Sequence, residues 1–203
     1  MFGLVDVRRV FVGCPKSVRL YLGDSYLRSV SSHVLKVAVD RGRRAYLALD
    51  RSLFHPRGGG QPSDRGWIVD EGGGVRFNLR KVLDVDGVLA HYGSFSVGGV
   101  SFSADDVVTL LLDWDYRYLV MRLHTAGHIL DYALTRVYGF RVETVSAFHG
   151  PPHAYTMYLG SAPSVEKLKL VEEYANMVVR DRIPVEVYTV KREQLGDVVF
   201  NAP

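Results

Sequence analysis

Two histidines four residues apart lie in the stretch that decides the second half of the fold: Arg122-Leu123-His124-Thr125-Ala126-Gly127-His128-Ile129-Leu130. Apolar or small residues recur around it at the spacing of one helical stripe: Leu119, Leu123, Gly127, Leu130, Leu134 and Val137. This spacing predicts an amphipathic helix that buries the stripe. His124 and His128 would project from the same side, one turn apart, where two neutral imidazoles can bind one zinc ion. The same pair also fits two ordinary, partly buried histidines.

The expected helix has a start signal and a stop signal. Asp113 or Asp115 can cap its N-terminus, and Gly139 can end it. Gly127 lies between the histidines and costs about 1 kcal/mol of helix propensity relative to alanine. We therefore expect close packing or a ligand beside it. Asp131 is expected to be an exposed helix residue, with the orientation of a ring or a water as the alternative.

A second stretch is rich in glycine and lies between two strand-like runs: Leu53-Phe54-His55-Pro56-Arg57-Gly58-Gly59-Gly60-Gln61-Pro62-Ser63-Asp64-Arg65-Gly66. Three successive glycines cost backbone entropy, so a fold keeps them where a positive φ or a close approach requires them. The residues fit a flexible hairpin end as well as a backbone that approaches a substrate. In the second case Gln61 supplies an amide that both donates and accepts.

Short strands and tight turns alternate from residue 18 to residue 102, with glycine-containing turns that include 98–99. Short strands at regular spacing predict a small antiparallel barrel. After it come the histidine helix, two strands, a second helix capped by Ser164, and a strand over Val185, Val187 and Thr189. This order predicts an α+β arrangement of a sheet with helices on one face.

The chain therefore divides, by expectation, into a barrel domain at 1–105 and an α+β domain at 106–203, with the seam at 101–106. The fold class expected for the whole chain is α+β. Two histidines, His149 and His153, flank a proline-containing turn after the helix, and we expect them to be turn histidines.

Composition bounds the function classes. Hydrophobic residues make up 47% of the 203 residues and charged residues 23%, which is typical of a globular protein without a membrane span. The net charge of +3 permits RNA binding without indicating it. A single cysteine, Cys14, excludes an internal disulfide framework. The N-terminus lacks the apolar core of a secretory signal, so a cytoplasmic protein is expected.

Several separated motifs resemble, in the same order, the free-standing alanyl-tRNA editing proteins and the related editing module of alanyl-tRNA synthetase. The motifs lie at residues 20–26, 54–66, 124–128 and 171–176. The resemblance covers nearly the whole chain. It implies a translation-factor-like β-barrel followed by an α+β sandwich editing domain. His55 is a departure, because the family often has tyrosine there, and we expect it to be a surface or packing residue.

The resemblance also implies an activity, namely hydrolysis of the ester that joins serine or glycine to alanine tRNA by mistake. Residues 58–61 would border the pocket as substrate-binding residues (Gly58, Gly59, Gly60 and Gln61). From its place on the helix, Thr125 either reaches this pocket as a further substrate-binding residue or faces a neighbouring strand. The partner implied is the acceptor end of tRNA(Ala). The cofactor implied is zinc on His124 and His128, where it could polarise a carbonyl, activate water or bind the substrate amino group. The general base and the oligomeric state stay unassigned.

One element of the family pattern is missing from the sequence. The family completes its metal site with a later Cys-x-x-x-His, but here no cysteine follows Cys14 and no histidine follows His153. Three interpretations remain. Zinc binds weakly or not at all; His149 or His153 supplies a third ligand; or water or a partner completes the site. The functional hypotheses are accordingly a zinc-assisted tRNA deacylase and a non-catalytic relative that binds RNA or protein through a degenerate site.

Overall fold

The computed structural model describes residues 6–96 and 102–194, which form a barrel followed by helices and a small sheet. In chain order the elements are α1 (Val7–Val10), β1 (Val18–Arg19), a 3₁₀ turn (Leu20–Leu22), β2 (Ser29–Arg41), β3 (Arg44–Leu49), β4 (Arg51–Ser52), β5 (Gly66–Asp70), β6 (Arg76–Val85), β7 (Val88–Phe95), β8 (Val107–Leu112), α2 (Trp114–Tyr138), β9 (Thr144–Phe148), β10 (Tyr155–Tyr158), α3 (Val165–Arg180) and a second 3₁₀ turn (Arg192–Gln194).

The barrel is closed and antiparallel, with strand order β2-β3-β7-β6-β5-β8 and β8 paired back onto β2. Closure leaves no unpaired strand edge in the barrel. Large apolar side chains with no exposed surface fill its interior, among them Leu47, Phe54, Ile68, Phe77 and Leu110. The prediction of an α+β fold with a small antiparallel barrel is confirmed.

Strand β8 belongs to the barrel although it follows the expected seam at 101–106. It pairs with β2 on one side and β5 on the other, so the barrel strands extend to Leu112. Ser101 and the turn at 98–99 lie outside the described residues, as does the C-terminal stretch 198–203. The division of the chain at 105/106 stays a prediction.

Helix α2 begins and ends at two residues that the sequence indicates. The Asp113 side chain accepts a hydrogen bond from the Tyr116 amide, so Asp113 rather than Asp115 is the cap. Gly139 has φ 74°, a left-handed conformation that glycine adopts without strain, and its amide bonds to the Thr135 carbonyl. Both predicted ends of the helix are confirmed.

The predicted buried stripe of α2 is wrong at Leu119 and Leu130 and correct at Gly127 and Leu134. Leu119 and Leu130 are each 40% exposed, whereas the buried positions are Arg117, Val120, Gly127, Ala133 and Leu134. Different neighbours bury the two ends of the helix: its first turns face the barrel loops, and its last turns pack on α3. A stripe with uniform spacing assumes one continuous partner, and this helix has two.

After α2 come a two-stranded antiparallel sheet, β9 with β10, and the helix α3 capped by Ser164. The predicted strand over residues 185–189 is wrong, because that segment has no strand pairing and Val185 and Val187 are 79% and 87% exposed. Alternating β-branched residues favour a strand only when another strand lies beside them. Among the described residues, no helix has both the length and the apolar character needed to cross a membrane.

A buried ion pair joins α2 to the glycine-rich loop. Arg117 and Asp64 are almost fully buried, and two guanidinium nitrogens, Nε and Nη2, donate to the two carboxylate oxygens. The same guanidinium donates to the carbonyls of Ser25 and Leu53, each at 2.8 Å. Every charge-bearing atom of the pair therefore has a partner, which a buried ion pair requires.

Replacing Arg117 by methionine should lower the free energy of unfolding by about 3 to 5 kcal/mol, because it leaves the Asp64 carboxylate buried without a counter-charge. The matched control is Arg19→Met, which removes the half-exposed pair of Arg19 with Asp84 and should cost less than about 1 kcal/mol. Urea unfolding of both variants measures the difference. Equal losses would contradict the assigned role of the buried pair.

His91 is another buried polar residue, and it lies inside the barrel. Its Nδ1 lies 3.1 Å from the Leu47 carbonyl, which can only accept, so Nδ1 carries the proton. Nε2 then accepts from the Ser52 hydroxyl at 2.8 Å. Burial lowers the pKa of His91 from 6.5 to about 4, so the ring is neutral in the folded protein at neutral pH.

This low pKa predicts acid destabilisation between pH 6.5 and about 4. The unfolded chain takes up the proton in this range and the folded chain does not, so stability is complete above pH 6.5 and falls as the pH approaches 4. The loss attributable to His91 should approach 3 kcal/mol, as an order of magnitude. The unfolding free energy of His91→Gln, which keeps a donor and an acceptor, should change less over this range; parallel pH profiles would refute the assignment.

Candidate active site

The glycine-rich loop is a tight turn rather than a flexible end. Gly58 and Gln61 bond to each other through both amide–carbonyl pairs, at 3.1 and 2.8 Å. The two central residues, Gly59 and Gly60, have φ of 55° and 75°. Two successive positive φ values are typical of a type I′ turn, which glycine forms without strain. The turn places Gln61 at a buried position facing α2.

Helix α2 brings His124 and His128 together as their spacing predicts. Their ring centroids lie 5.0 Å apart, with 26° between the ring planes. His124 is half-buried, whereas His128 is exposed. His128 therefore lies at the surface of the helix, and His124 lies nearer the contact between the helix and the glycine turn.

One hydrogen bond connects the helix to the turn. The Nδ1 atom of His124 lies 2.7 Å from Oε1 of Gln61. An amide oxygen only accepts, so His124 carries its proton on Nδ1 and keeps a free lone pair on Nε2. The Gln61 amide nitrogen stays a donor for a further group. Two of the residues that the sequence singles out are thus in direct contact.

His149, expected to be a turn histidine, is the third imidazole of this site. It is buried, its ring stacks on His124 at 4.7 Å with 12° between the planes, and its centroid lies 6.4 Å from that of His128. Its backbone amide donates to the Gly60 carbonyl at 2.9 Å. His153, on the far side of the turn, is exposed.

Two glycines make room for the His149 ring. A Cβ atom on Gly127 would overlap Cε1 of this ring, and one on Gly60 would lie 3.0 Å from Cδ2. The helix glycine is therefore compensated by a ring packed against it, as its position in the sequence suggests. Gly127 together with the glycine turn was the available signal for a bulky neighbour, but neither glycine indicates which residue it is.

Burial and proximity keep the stacked rings neutral. Burial lowers the pKa of His124 to about 4, and the neighbouring His149 and His128 rings add to the effect. Burial is also the larger cause of the lowered pKa of His149, with His128 second. Neutral imidazoles have lone pairs available at physiological pH, which both proton transfer and metal binding require.

Asp131 faces the site instead of solvent. Its Oδ2 lies 3.6 Å from Nδ1 of His128, and its Oδ1 accepts a hydrogen bond from the Tyr158 hydroxyl at 2.8 Å. Burial and this carboxylate raise the pKa of Tyr158. A carboxylate beside Nδ1 favours the proton on that atom and leaves Nε2 of His128 free. The structure thus favours the alternative in which Asp131 orients a ring.

Thr125 and His55 lie beside the imidazoles rather than among them. Thr125 is exposed and lines a groove of about 600 Å³ together with Tyr118 and Met121. His55 packs its ring against Tyr21 at 4.9 Å, which agrees with the expected packing role. For its Nδ1, no hydrogen-bond partner lies within residues 6–96 and 102–194.

The donor set fits zinc in its chemistry but not in its arrangement. Neutral imidazoles with partners on Nδ1 are ordinary zinc ligands. However, an imidazole lone pair lies in the ring plane, and the planes of His124 and His149 are nearly parallel. In-plane lone pairs of stacked rings run side by side and do not meet at one ion. Accordingly, no group of three donors in the part of the chain that the structure describes can hold a metal ion.

No family model matches the chain. Comparison with known proteins gives two groups of relatives, alanyl-tRNA editing proteins and the much longer alanine–tRNA ligases. The alanyl-tRNA editing protein AlaX-M of Methanosarcina acetivorans is 33% identical over 180 residues, which cover 86% of this chain and 70% of the relative. The AlaX-M protein of Methanosarcina barkeri is 30% identical with the same coverage. The alanine–tRNA ligase of Pyrobaculum neutrophilum is 33% identical over 89% of this chain, which spans only 19% of the ligase.

The near-parallel rings predict weak zinc binding. We expect titration calorimetry at neutral pH to give an affinity far below the roughly 10 kcal/mol or more of complete structural sites. His124→Ala and His128→Ala should reduce this residual binding, and His153→Ala, which removes an exposed histidine outside the cluster, should not. A tight site that is lost in His149→Ala would show that the rings rearrange to converge on the ion.

Proposed function

Because the chain belongs to the alanyl-tRNA editing proteins of the AlaX type, we propose that it hydrolyses the ester of wrongly charged alanine tRNA. The amino acids proposed are serine and glycine, and the partner is the acceptor end of tRNA(Ala). The observation that supports this most directly is the hydrogen bond between His124 and Gln61. It unites the two family motifs, the glycine turn and the histidine helix, at one partly open position.

Gln61 can position the substrate in this proposal. Its Oε1 is engaged by His124, so its orientation is fixed and its amide N–H₂ group is the part left to donate. A fixed donor next to an ester carbonyl stabilises the negative charge that develops there during hydrolysis. The turn glycines bring backbone to the same position without side chains that would block a substrate.

His124 can act as the general base that accepts a proton from the attacking water. Its Nε2 lone pair is free because Nδ1 donates to Gln61, and the stacked His149 ring restricts its rotation. A base with a pKa near 4 is weak, but an aminoacyl ester is already labile, so orientation of the water supplies much of the effect. Zinc assistance would require the rings to leave their stacked arrangement, and no step proposed above depends on it.

His124→Ala should lower kcat/KM for seryl-tRNA(Ala) by about 100-fold or more, the usual contribution of a positioned acid or base. Gln61→Ala should act in the same direction because it frees the His124 ring, whereas the exposed control His153→Ala should behave as the wild type. Release of labelled serine measures the rate, with glycyl- and alanyl-tRNA(Ala) as the comparison substrates.

The alternative function is binding of RNA or protein without catalysis. The observation that favours it is that the ring nitrogens of His124 and His149 do not point to a common metal position. The same assay separates the two. Absence of wild-type hydrolysis with and without added zinc would favour the binding module. Unchanged hydrolysis in His124→Ala would refute the assigned role of the histidine while leaving an esterase in place.

A further inference from the structure

A row of aromatic and arginine side chains lies on α2 and the segment before β2. We call it the aromatic–arginine ladder, and it consists of Tyr26, Arg28, Trp114, Tyr118 and Arg122. The Arg28 guanidinium lies over the Trp114 ring at 4.3 Å, and Trp114 stacks on Tyr118 at 5.6 Å. Tyr26 contacts Trp114 at 5.3 Å, and Arg122 lies 5.8 Å from the Tyr118 ring.

Helical spacing aligns the ladder. Trp114, Tyr118 and Arg122 follow one another at four-residue intervals, so they lie on one side of α2 over successive turns. Trp114 is the central ring, since it touches members from both segments. The ladder therefore joins the segment before the barrel strand to the helix that carries the histidines.

The outer members of the ladder are available to a ligand. The rings of Tyr26 and Tyr118 are exposed, and so are Arg28 and Arg122. Within residues 6–96 and 102–194, no ion pair engages either arginine. Stacking on an aromatic face leaves the edge of a guanidinium free to donate to phosphate oxygens.

The groove beside the ladder adjoins a smaller cavity that borders Gln61. Tyr26, Tyr118 and Met121 line the groove of about 600 Å³. Met121 and Ser25 also line a cavity of about 130 Å³ whose wall includes Gln61. Shared lining residues make the two hollows neighbours, and Gln61 is the hydrogen-bond partner of His124. A flexible strand lying on the ladder can thus extend toward Gln61.

We propose that the ladder binds the single-stranded 3′ end of tRNA, with bases stacked on Tyr26 and Tyr118 and phosphates bound by Arg28 and Arg122. Proteins commonly bind single-stranded nucleic acid through exposed aromatic rings interleaved with unpaired arginines. Each base can stack on a ring, and each phosphate carries a negative charge that an arginine can bind. The proposal rests on the proposed function for the identity of the RNA, but it concerns binding and not the chemical step.

Fluorescence anisotropy with uncharged tRNA(Ala) tests the proposal, alongside the same RNA without its single-stranded 3′ end. The wild type should bind the full RNA more tightly than the shortened one. Tyr118→Ala and Tyr26→Ala should weaken binding of the full RNA roughly 5- to 150-fold. They should leave the salt dependence unchanged. Arg28→Gln and Arg122→Gln should each reduce the slope of log affinity against log salt by roughly 0.7.

Helix α2 offers matched controls. Tyr132 is 47% exposed, close to the 43% of Tyr118, and Arg136 is an exposed arginine in the last turn of the helix. Tyr132→Ala and Arg136→Gln should bind both RNAs as the wild type does. Tyr118→Leu keeps the apolar contact with Trp114 but removes the ring, so it replaces Tyr118→Ala if that variant unfolds.

The outcomes separate this inference from the proposed function. Ladder variants that bind like the wild type, or that weaken the full and the shortened RNA equally, would overturn the inference even if seryl-tRNA(Ala) is hydrolysed. Loss of binding confined to the full RNA would support it even if no hydrolysis occurs. For an active wild type, ladder variants should raise KM and leave kcat unchanged, as expected when substrate and transition state lose the same contact.

Discussion

The buried ion pair of Arg117 with Asp64 is the constraint on which the rest of the structure depends. Arg117 lies in the first turn of α2, and Asp64 lies at the end of the glycine-rich loop. A buried charge without a partner costs several kcal/mol. Sliding or rotating the helix against the loop would separate Arg117 from Asp64, and is therefore strongly unfavourable. The His55 amide also donates to Asp64, so the loop is held at both ends of its turn.

The position of the candidate site follows from this anchor. His124 lies seven residues after Arg117, just under two helical turns, so the two side chains lie on nearly the same side of α2. The loop that supplies Asp64 also supplies Gln61, three residues earlier. Fixing one residue of the helix against one residue of the loop thus brings His124 within hydrogen-bond distance of Gln61. His149 completes the cluster because Gly60 and Gly127 leave its ring the space between loop and helix.

The sequence predicted local features well and contacts between distant segments poorly. The caps at Asp113 and Gly139 and the barrel follow from patterns within short windows, and the structure confirms them. The buried stripe failed at Leu119 and Leu130 because burial depends on which elements lie beside the helix. The sequence predicts His149 as a turn residue, because its position among the imidazoles depends on a strand that returns to the loop. Arg117 was not singled out, since one arginine in a helix carries no signal of its distant partner.

The arrangement of α2 also bears on how a substrate can enter. The anchor and the histidines share one side of the helix, whereas the ladder residues Tyr118 and Arg122 lie on the adjacent side and line the groove. A rotation of α2 large enough to widen the site would break the buried pair, so opening by movement of this helix is costly. The groove adjoins the cavity beside Gln61, because Ser25 and Met121 line both hollows. The fold therefore joins an anchored helix to two neighbouring hollows, and an RNA strand bound in the groove, as proposed, would approach Gln61 without a rotation of α2.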